Sequence, residues 1–180
     1  MTLLALTALG LGILLAKLLG KRLPSLKHPW LLLLTPLPEV LAVFLPIPVV
    51  FSQGATYLLV SVAAWTNRHL PALYLVFLGA GVNALAIFLH GGMPVDPVAL
   101  ERAGLGHYRD YLAQKGDGLH YLGDAFPLGD WIPLPGRVVS PGDLLIALGL
   151  LLVPLWQKKT PGEVTGGREL EVELPKDQED

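Results

Sequence analysis

From Leu70 to Leu89 the chain carries no charge and one amide, Asn83, in an apolar run that closes on His90-Gly91-Gly92. At ~1.5 Å per residue, a helix of that length reaches across the ~30 Å hydrocarbon core of a bilayer. Pro71 falls in its first turn, where a missing N–H costs little. Gly91 and Gly92 end it by accepting the left-handed conformation, and Pro94 prevents resumption. A run of this kind needs either a large surrounding core or lipid, and the composition decides between them. The 180 residues are 52% hydrophobic and only 16% charged, with a mean hydropathy of +0.53, whereas soluble domains carry about a quarter charged residues. The expected class is an all-α integral membrane protein.

Four further arms follow from the same reasoning, for spans of about 2–19, 30–45, 49–65, 70–89 and 142–156. The first is interrupted only by Lys17, and Lys17, Lys21, Arg22 and Lys27 follow it instead of preceding it. That pattern fits an uncleaved helix better than a secretory signal. In the second arm Pro36 and Pro38 are expected to bend or break the helix, so a broken or re-entrant segment is an alternative there. Pro46-Ile47-Pro48 marks the turn to the third. The last opens at Ser140-Pro141-Gly142-Asp143, with Ser140 as N-cap, Pro141 at N1 and the Asp143 carboxylate at N3, able to bond back and face the positive dipole end.

With five spans, Lys17, Lys21, Arg22, Lys27, Arg68, Lys158 and Lys159 fall on one face, together with Trp30, Trp65 and Trp156. The positive-inside rule makes that face cytoplasmic and puts the N-terminus outside and the C-terminus inside. Residues 1–156 are then the membrane domain, 91–140 the outer loop, and 157–180 a flexible acidic cytoplasmic tail in which Glu169, Glu171 and Glu173 alternate with apolar residues. The loop is expected to contain one short amphipathic helix, capped by Asp96 with Pro97 at N1. Beyond it lies a glycine-, proline- and aspartate-rich connection without regular structure. No internal repeat supports a transporter built from inverted halves, and the absence of cysteine removes thiol chemistry. The basic residues form no patch, so no nucleic-acid partner is expected.

Asn67, the stretch from Gly79 ending GGMPV, the DPVALERAGL that follows, His120, the LGD at Leu122 to Asp124 or Leu128 to Asp130, and VVSPGDLLIALGL from Val138 resemble one family. They are similar to the bacterial membrane proteins of domain-of-unknown-function family 5317. The resemblance covers Leu3 to Trp156 and implies a small integral protein of the bacterial cytoplasmic membrane, with no assigned activity. In that family an Asn commonly precedes the Gly-Gly where this chain has His90, so the resemblance does not support His90 as an indispensable group.

Chemistry has few places to reside. Glu39, near the middle of the second span, is either an intramembrane acid with a function or a neutral carboxyl bonded to backbone groups freed by the neighbouring prolines. Asn83 shares a face with Gly79 and is most simply interhelical glue; Ser61 is a further intramembrane polar residue. The outer loop and its borders offer His90, His120, Asp124, Asp130 and Asp143. Of these, His120 and Asp124 would share a face if helical and could then ligate a metal. No catalytic motif accompanies them, and no cofactor is expected. The leading expectation is a non-enzymatic accessory or assembly partner, with a membrane-protein partner or a second copy beside the lipid bilayer. The alternatives are an ion- or proton-linked membrane protein using Glu39 and Asn83, and an outward-facing metal-dependent enzyme around His120 and Asp124.

Overall fold

The computed structural model describes residues 2–156; the acidic segment after Trp156 lies outside them. The chain is mostly helical. Its apolar helices are α1 (Thr2–Leu18), α2 (Trp30–Leu34), α3 (Leu37–Phe44), α4 (Val49–Thr66), α5 (Leu73–His90) and α8 (Pro141–Leu152), the last extended by a 3₁₀ turn over Val153–Leu155. Helices α4 and α5 are long and apolar enough to cross a membrane, whereas α1, the α2 to α3 arm and α8 with its extension are shorter. The arm breaks at Thr35-Pro36, as two closely spaced prolines dictate. Leu70 to Ala72 form turns ahead of α5, since Leu73 N–H bonds back to the Leu70 carbonyl.

Small residues set the packing. A Cβ on Gly79 would collide with the Gly142 carbonyl and stand 2.9 Å from the Ile146 side chain, and one on Gly149 would meet the Val76 side chain at 2.6 Å and the Ala72 carbonyl at 2.8 Å. These contacts run α5 and α8 antiparallel with their backbones touching. On the other side of α8, Gly12 of α1 meets the Leu151 backbone, and Lys21 Nζ donates to the Leu155 carbonyl at 2.9 Å, so α1 and α8 run in the same sense. Gly54 of α4 accepts the Phe88 ring from α5, and Trp65 packs on Tyr74 and Phe77 at their opposite ends. The core of this bundle comprises Tyr57, Val76, Ala80, Ala84, Ile87 and Ile146.

The two ends of the bundle differ. At one, Lys27 N–H donates to Asn67 Oδ1 at 2.6 Å and the His69 ring lies 3.3 Å from the Ser25 carbonyl, which gathers the end of α1, the start of α2 and the α4 to α5 turn. Arg68 stacks over Trp65, 5.0 Å from the ring centre. At the other end, residues 91–140 fold into a cap, and here the expectation is corrected twice. One amphipathic helix is in fact two, α6 (Pro97–Arg102) and α7 (Gly106–Gln114), separated by Gly104 in the left-handed region. A three-residue strand, β1 (Met93–Val95), precedes α6, and the connection beyond the helices, assigned no regular structure, holds three more: β2 (His120–Leu122), β3 (Ile132–Leu134) and β4 (Arg137–Val139).

Strand β1 is the centre of the cap. It pairs in parallel with β2, matching Met93 to His120 and Val95 to Leu122, and its other edge bridges to Asp130. There Asp130 N–H donates to the Pro94 carbonyl and Asp96 N–H to the Asp130 carbonyl, both at 2.9 Å. Gly92 and Gly129 permit these approaches, because a Cβ on either would strike the Leu119 or the Pro94 carbonyl. Strands β3 and β4 form an antiparallel hairpin that delivers the chain to the start of α8.

Substituting Gly79→Ala should destabilise the fold by about 1–3 kcal/mol, because overpacking forces two backbones apart. Gly81→Ala, with nothing within 4 Å of the added carbon, should be neutral or stabilising. Thermal unfolding of both variants under the same conditions gives the comparison, and equal melting temperatures would refute the close helix contact.

Candidate functional site

Where the cap meets the helix ends, polar side chains are buried together. Asn83 of α5 and Ser140 are fully buried, and Asp143 is 6% exposed. Asn83 Nδ2 donates to Asp143 Oδ1 at 2.6 Å, while the Ser140 hydroxyl donates to Asn83 Oδ1 at 2.8 Å and accepts from Asp143 N–H at 3.0 Å. Ser140 is thus the N-cap of α8, and its hydroxyl is committed as both donor and acceptor. Asp143 bonds across to α5, where the sequence suggests a bond back onto its own helix start. Gly142 lies against the Asn83 amide with no room for a Cβ, and this close approach is what lets the amide reach both partners.

Above this cluster is a cavity of about 220 Å³, lined among others by Tyr57, Tyr108, His120, Asp130, Arg137 and Asp143. Asp130 is 8% exposed, and its Oδ1 atom is buried with no hydrogen-bond partner among the described residues. His120 connects this acid to the surface. Its Nδ1 lies 2.6 Å from Asp117 Oδ2 and its Nε2 lies 3.8 Å from Asp130 Oδ2. Asp117 also accepts from the Leu119 and His120 backbone N–H groups at 2.9 and 2.5 Å and from the Tyr108 hydroxyl at 2.7 Å.

The two acids therefore have opposite characters. Burial works to raise Asp117 but is outweighed by the bonds from His120 and Tyr108, which hold its carboxyl down at about 2. Burial, reinforced by the neighbouring Asp143, pushes Asp130 up to about 8. Ionised Asp117 fixes a proton on His120 Nδ1, leaving Nε2 facing Asp130. The imidazole thus stands between an acid held ionised near the surface and a buried one, bonded to Asp117 and, at 3.8 Å from Asp130, too far for a hydrogen bond there. Tyr108, partly buried and donating to Asp117, has its hydroxyl pKa raised.

The remaining sequence candidates fall elsewhere. Glu39 is exposed in the first turn of α3, and among the described residues it makes no hydrogen bond to the backbone around Pro36 and Pro38 or to the fully buried Asn83. His90 is exposed at the end of α5, whose stop is made by Gly91 at φ +66°. Ser61 is buried on α4, its hydroxyl without a hydrogen-bond partner among the described residues. Asp96 caps α6 by accepting from Val98 N–H at 2.8 Å. His120 and Asp124 do not share a helix face: His120 opens β2, and Asp124, exposed beyond its end, accepts from Phe126 N–H at 3.2 Å. Asp124 lines a larger, open surface groove of about 590 Å³ with Asp96 and Trp131. Among the described residues no group of three His, Asp or Glu is placed to hold a metal ion. Sequence reasoning missed Asp117 and the pairing of His120 with Asp130; the only local signal was an Asp between two glycines three residues before a His.

Two outcomes follow from this geometry. Asn83→Ala leaves the Asp143 carboxyl and the Ser140 hydroxyl without their shared partner, and should cost about 1–3 kcal/mol in denaturant or thermal unfolding; an unchanged stability would contradict the cluster. Asp130 binds its proton more tightly folded than unfolded, so stability should fall as pH rises from about 4 to about 8, by up to about 1.4 kcal/mol per pH unit. Asp130→Asn should flatten that slope in melts taken across the range. Asp117 acts oppositely, its contribution being present above pH 4 and lost as pH falls towards 2.

No curated protein and no solved structure matches the chain. Residues 24–155 match the family described as a family of unknown function, DUF5317; the chain belongs to that family.

Proposed function

We propose that this chain is an integral membrane protein of five membrane-crossing arms, whose outer loop caps the helix ends and encloses a binding chamber for a small molecule, with no catalysis of its own. Only a third of Val49–Thr66 and 44% of Leu73–His90 is buried within the chain, so most of their apolar surface faces outward, as lipid contact requires. The α2 to α3 arm buries no residue at all, and Leu33, Val43 and Phe44 are each about 77–78% exposed. Lys21, Lys27 and Arg68 lie with Trp65 at one end of the bundle and the cap lies at the other. This supports the inside and outside faces that the charge rule assigns.

The observation that carries the binding reading is the unpartnered, buried carboxylate oxygen of Asp130 in a cavity shared with His120 and Asp143. An orphaned acceptor of this kind costs stability unless something occupies the space beside it. The proton-linked alternative accordingly moves from Glu39 and Asn83 to Asp130 and His120. A second reading, an assembly partner, is favoured by the largely exposed outer side of the α2 to α3 arm, where Leu33, Val43 and Phe44 stand uncovered. A monodisperse protein recovered without a companion after gentle solubilisation would remove it.

The native chain has no cysteine, so single cysteines report topology directly. Asp124→Cys should react with an impermeant maleimide on intact cells, and Arg68→Cys only after permeabilisation; the reverse pattern would invert the proposed topology. Native mass spectrometry of protein released from its own membrane should carry a small-molecule adduct that Asp130→Asn loses, and an adduct kept by that variant would place the ligand outside the chamber.

A further inference from the structure

The chamber described above has a definite chemical character. Two carboxyl groups, from Asp130 in the cap and Asp143 at the start of α8, line it from different elements. One oxygen of Asp143 is taken by Asn83, and Oδ1 of Asp130 is free of any partner among the described residues. The remaining lining mixes apolar and aromatic side chains, among them Ile87, Leu100, Tyr57 and Tyr108, with the polar His120 and Arg137. A volume of about 220 Å³ is several times the ~30 Å³ share of one water. Two carboxyl groups in one partly apolar space that also has tyrosines in its lining suit a compact organic cation that has N–H donors to give and a hydrocarbon part to bury.

We propose that the chamber takes a small protonated amine, held by N–H bonds to the Asp130 and Asp143 carboxyls. The inference rests on the chamber reading of the previous subsection and names its ligand class. The groups facing Asp130 are His120 on β2, Asp143 on α8, Tyr57 on α4, Tyr108 on α7 and Arg137 on β4, with Asp117 behind His120. Arg137 makes no ion pair among the described residues, and so the chamber does not carry a resident cation bound to Asp130. Entry of an ammonium then exchanges one positive charge for another. Asp130, held at about 8 by burial and by Asp143, releases its proton past His120 Nε2, 3.8 Å away, and the amine takes its place. No bond other than the O–H is broken, and the charge within the chamber is unchanged.

Calorimetric titration of the full chain in lipid nanodiscs tests this. The probe is ethylammonium; glycine carries the same group with a carboxylate, N-acetylglycine lacks the amine, and tetramethylammonium lacks N–H donors. Ethylammonium should bind saturably, about tenfold more weakly for each pH unit below 8, with one proton released when buffers of different ionisation heat are compared. Asp130→Asn should remove that binding, while Asp124→Asn, outside the chamber, should retain it. Glycine binding alongside ethylammonium supports the same amine class with an amino acid as its source. Binding of N-acetylglycine, equal affinity for tetramethylammonium, pH-independent affinity or binding undiminished in Asp130→Asn would each overturn the proposal. If ethylammonium fails to bind while Asp130→Asn still flattens the pH dependence of stability, the ligand class is wrong and the chamber stands; if that pH dependence is also missing, both fall.

Discussion

The Asn83 side chain is the point on which the arrangement depends. Its amide accepts a hydrogen bond from the Ser140 hydroxyl and donates one to the Asp143 carboxyl, and in doing so it joins the middle of α5 to the first turn of α8. In an apolar bundle nothing but packing distinguishes one helix register from another, and a fully buried amide with both ends satisfied removes that degeneracy. A register shift of a single turn would orphan three polar groups at once. The glycines at 79 and 142 are the geometric condition for this bond pattern, because any Cβ there would hold the two helices apart.

The cap inherits its position from the same place. Strand β4 runs into Ser140, and β1 leaves the end of α5 through Gly91 and Gly92. Both entrances to the 91–140 region are therefore held by helices that Asn83 has already locked together. The strands within the cap are only three residues long and would not persist alone. They are held by their backbone pairing and by a second core of Val95, Leu100 and Leu112.

Features decided within a few residues were legible in the sequence. The caps at Asp96 and Ser140, the glycine stop after His90, the break at Pro36 and the helical character of 49–66 and 73–90 all follow from local chemistry. Features decided at a distance were not. Strand β1 contains Pro94 and β3 contains Pro133, each an argument against a strand, and no alternation extends far enough to reveal the pairing of residues 93–95 with 120–122. The side-chain environment of Glu39 was not legible, because a broken arm does not by itself say which way a carboxyl near the break faces. The helix breaks just before it, and the carboxylate stays at the surface. Asp130 looked like one polar residue of a loop, since only the bridge to Val95 and the seating of Gly129 against Pro94 carry it inward.

Strand β1 has the segment bearing His120 on one edge and the backbone of Asp130 on the other. Neighbouring strands sit about 4.8 Å apart, so this one short strand sets the gauge between the imidazole and the buried acid. Because β1 continues directly from α5 after two glycines, the gauge is mounted on a helix long enough to cross a bilayer. Displacement of that helix along its axis would carry both residues together and shift them against Tyr57 and Asp143, which belong to other helices. The chamber's floor and roof are thus rooted in different parts of the bundle, and its shape is tied mechanically to how those helices sit against one another.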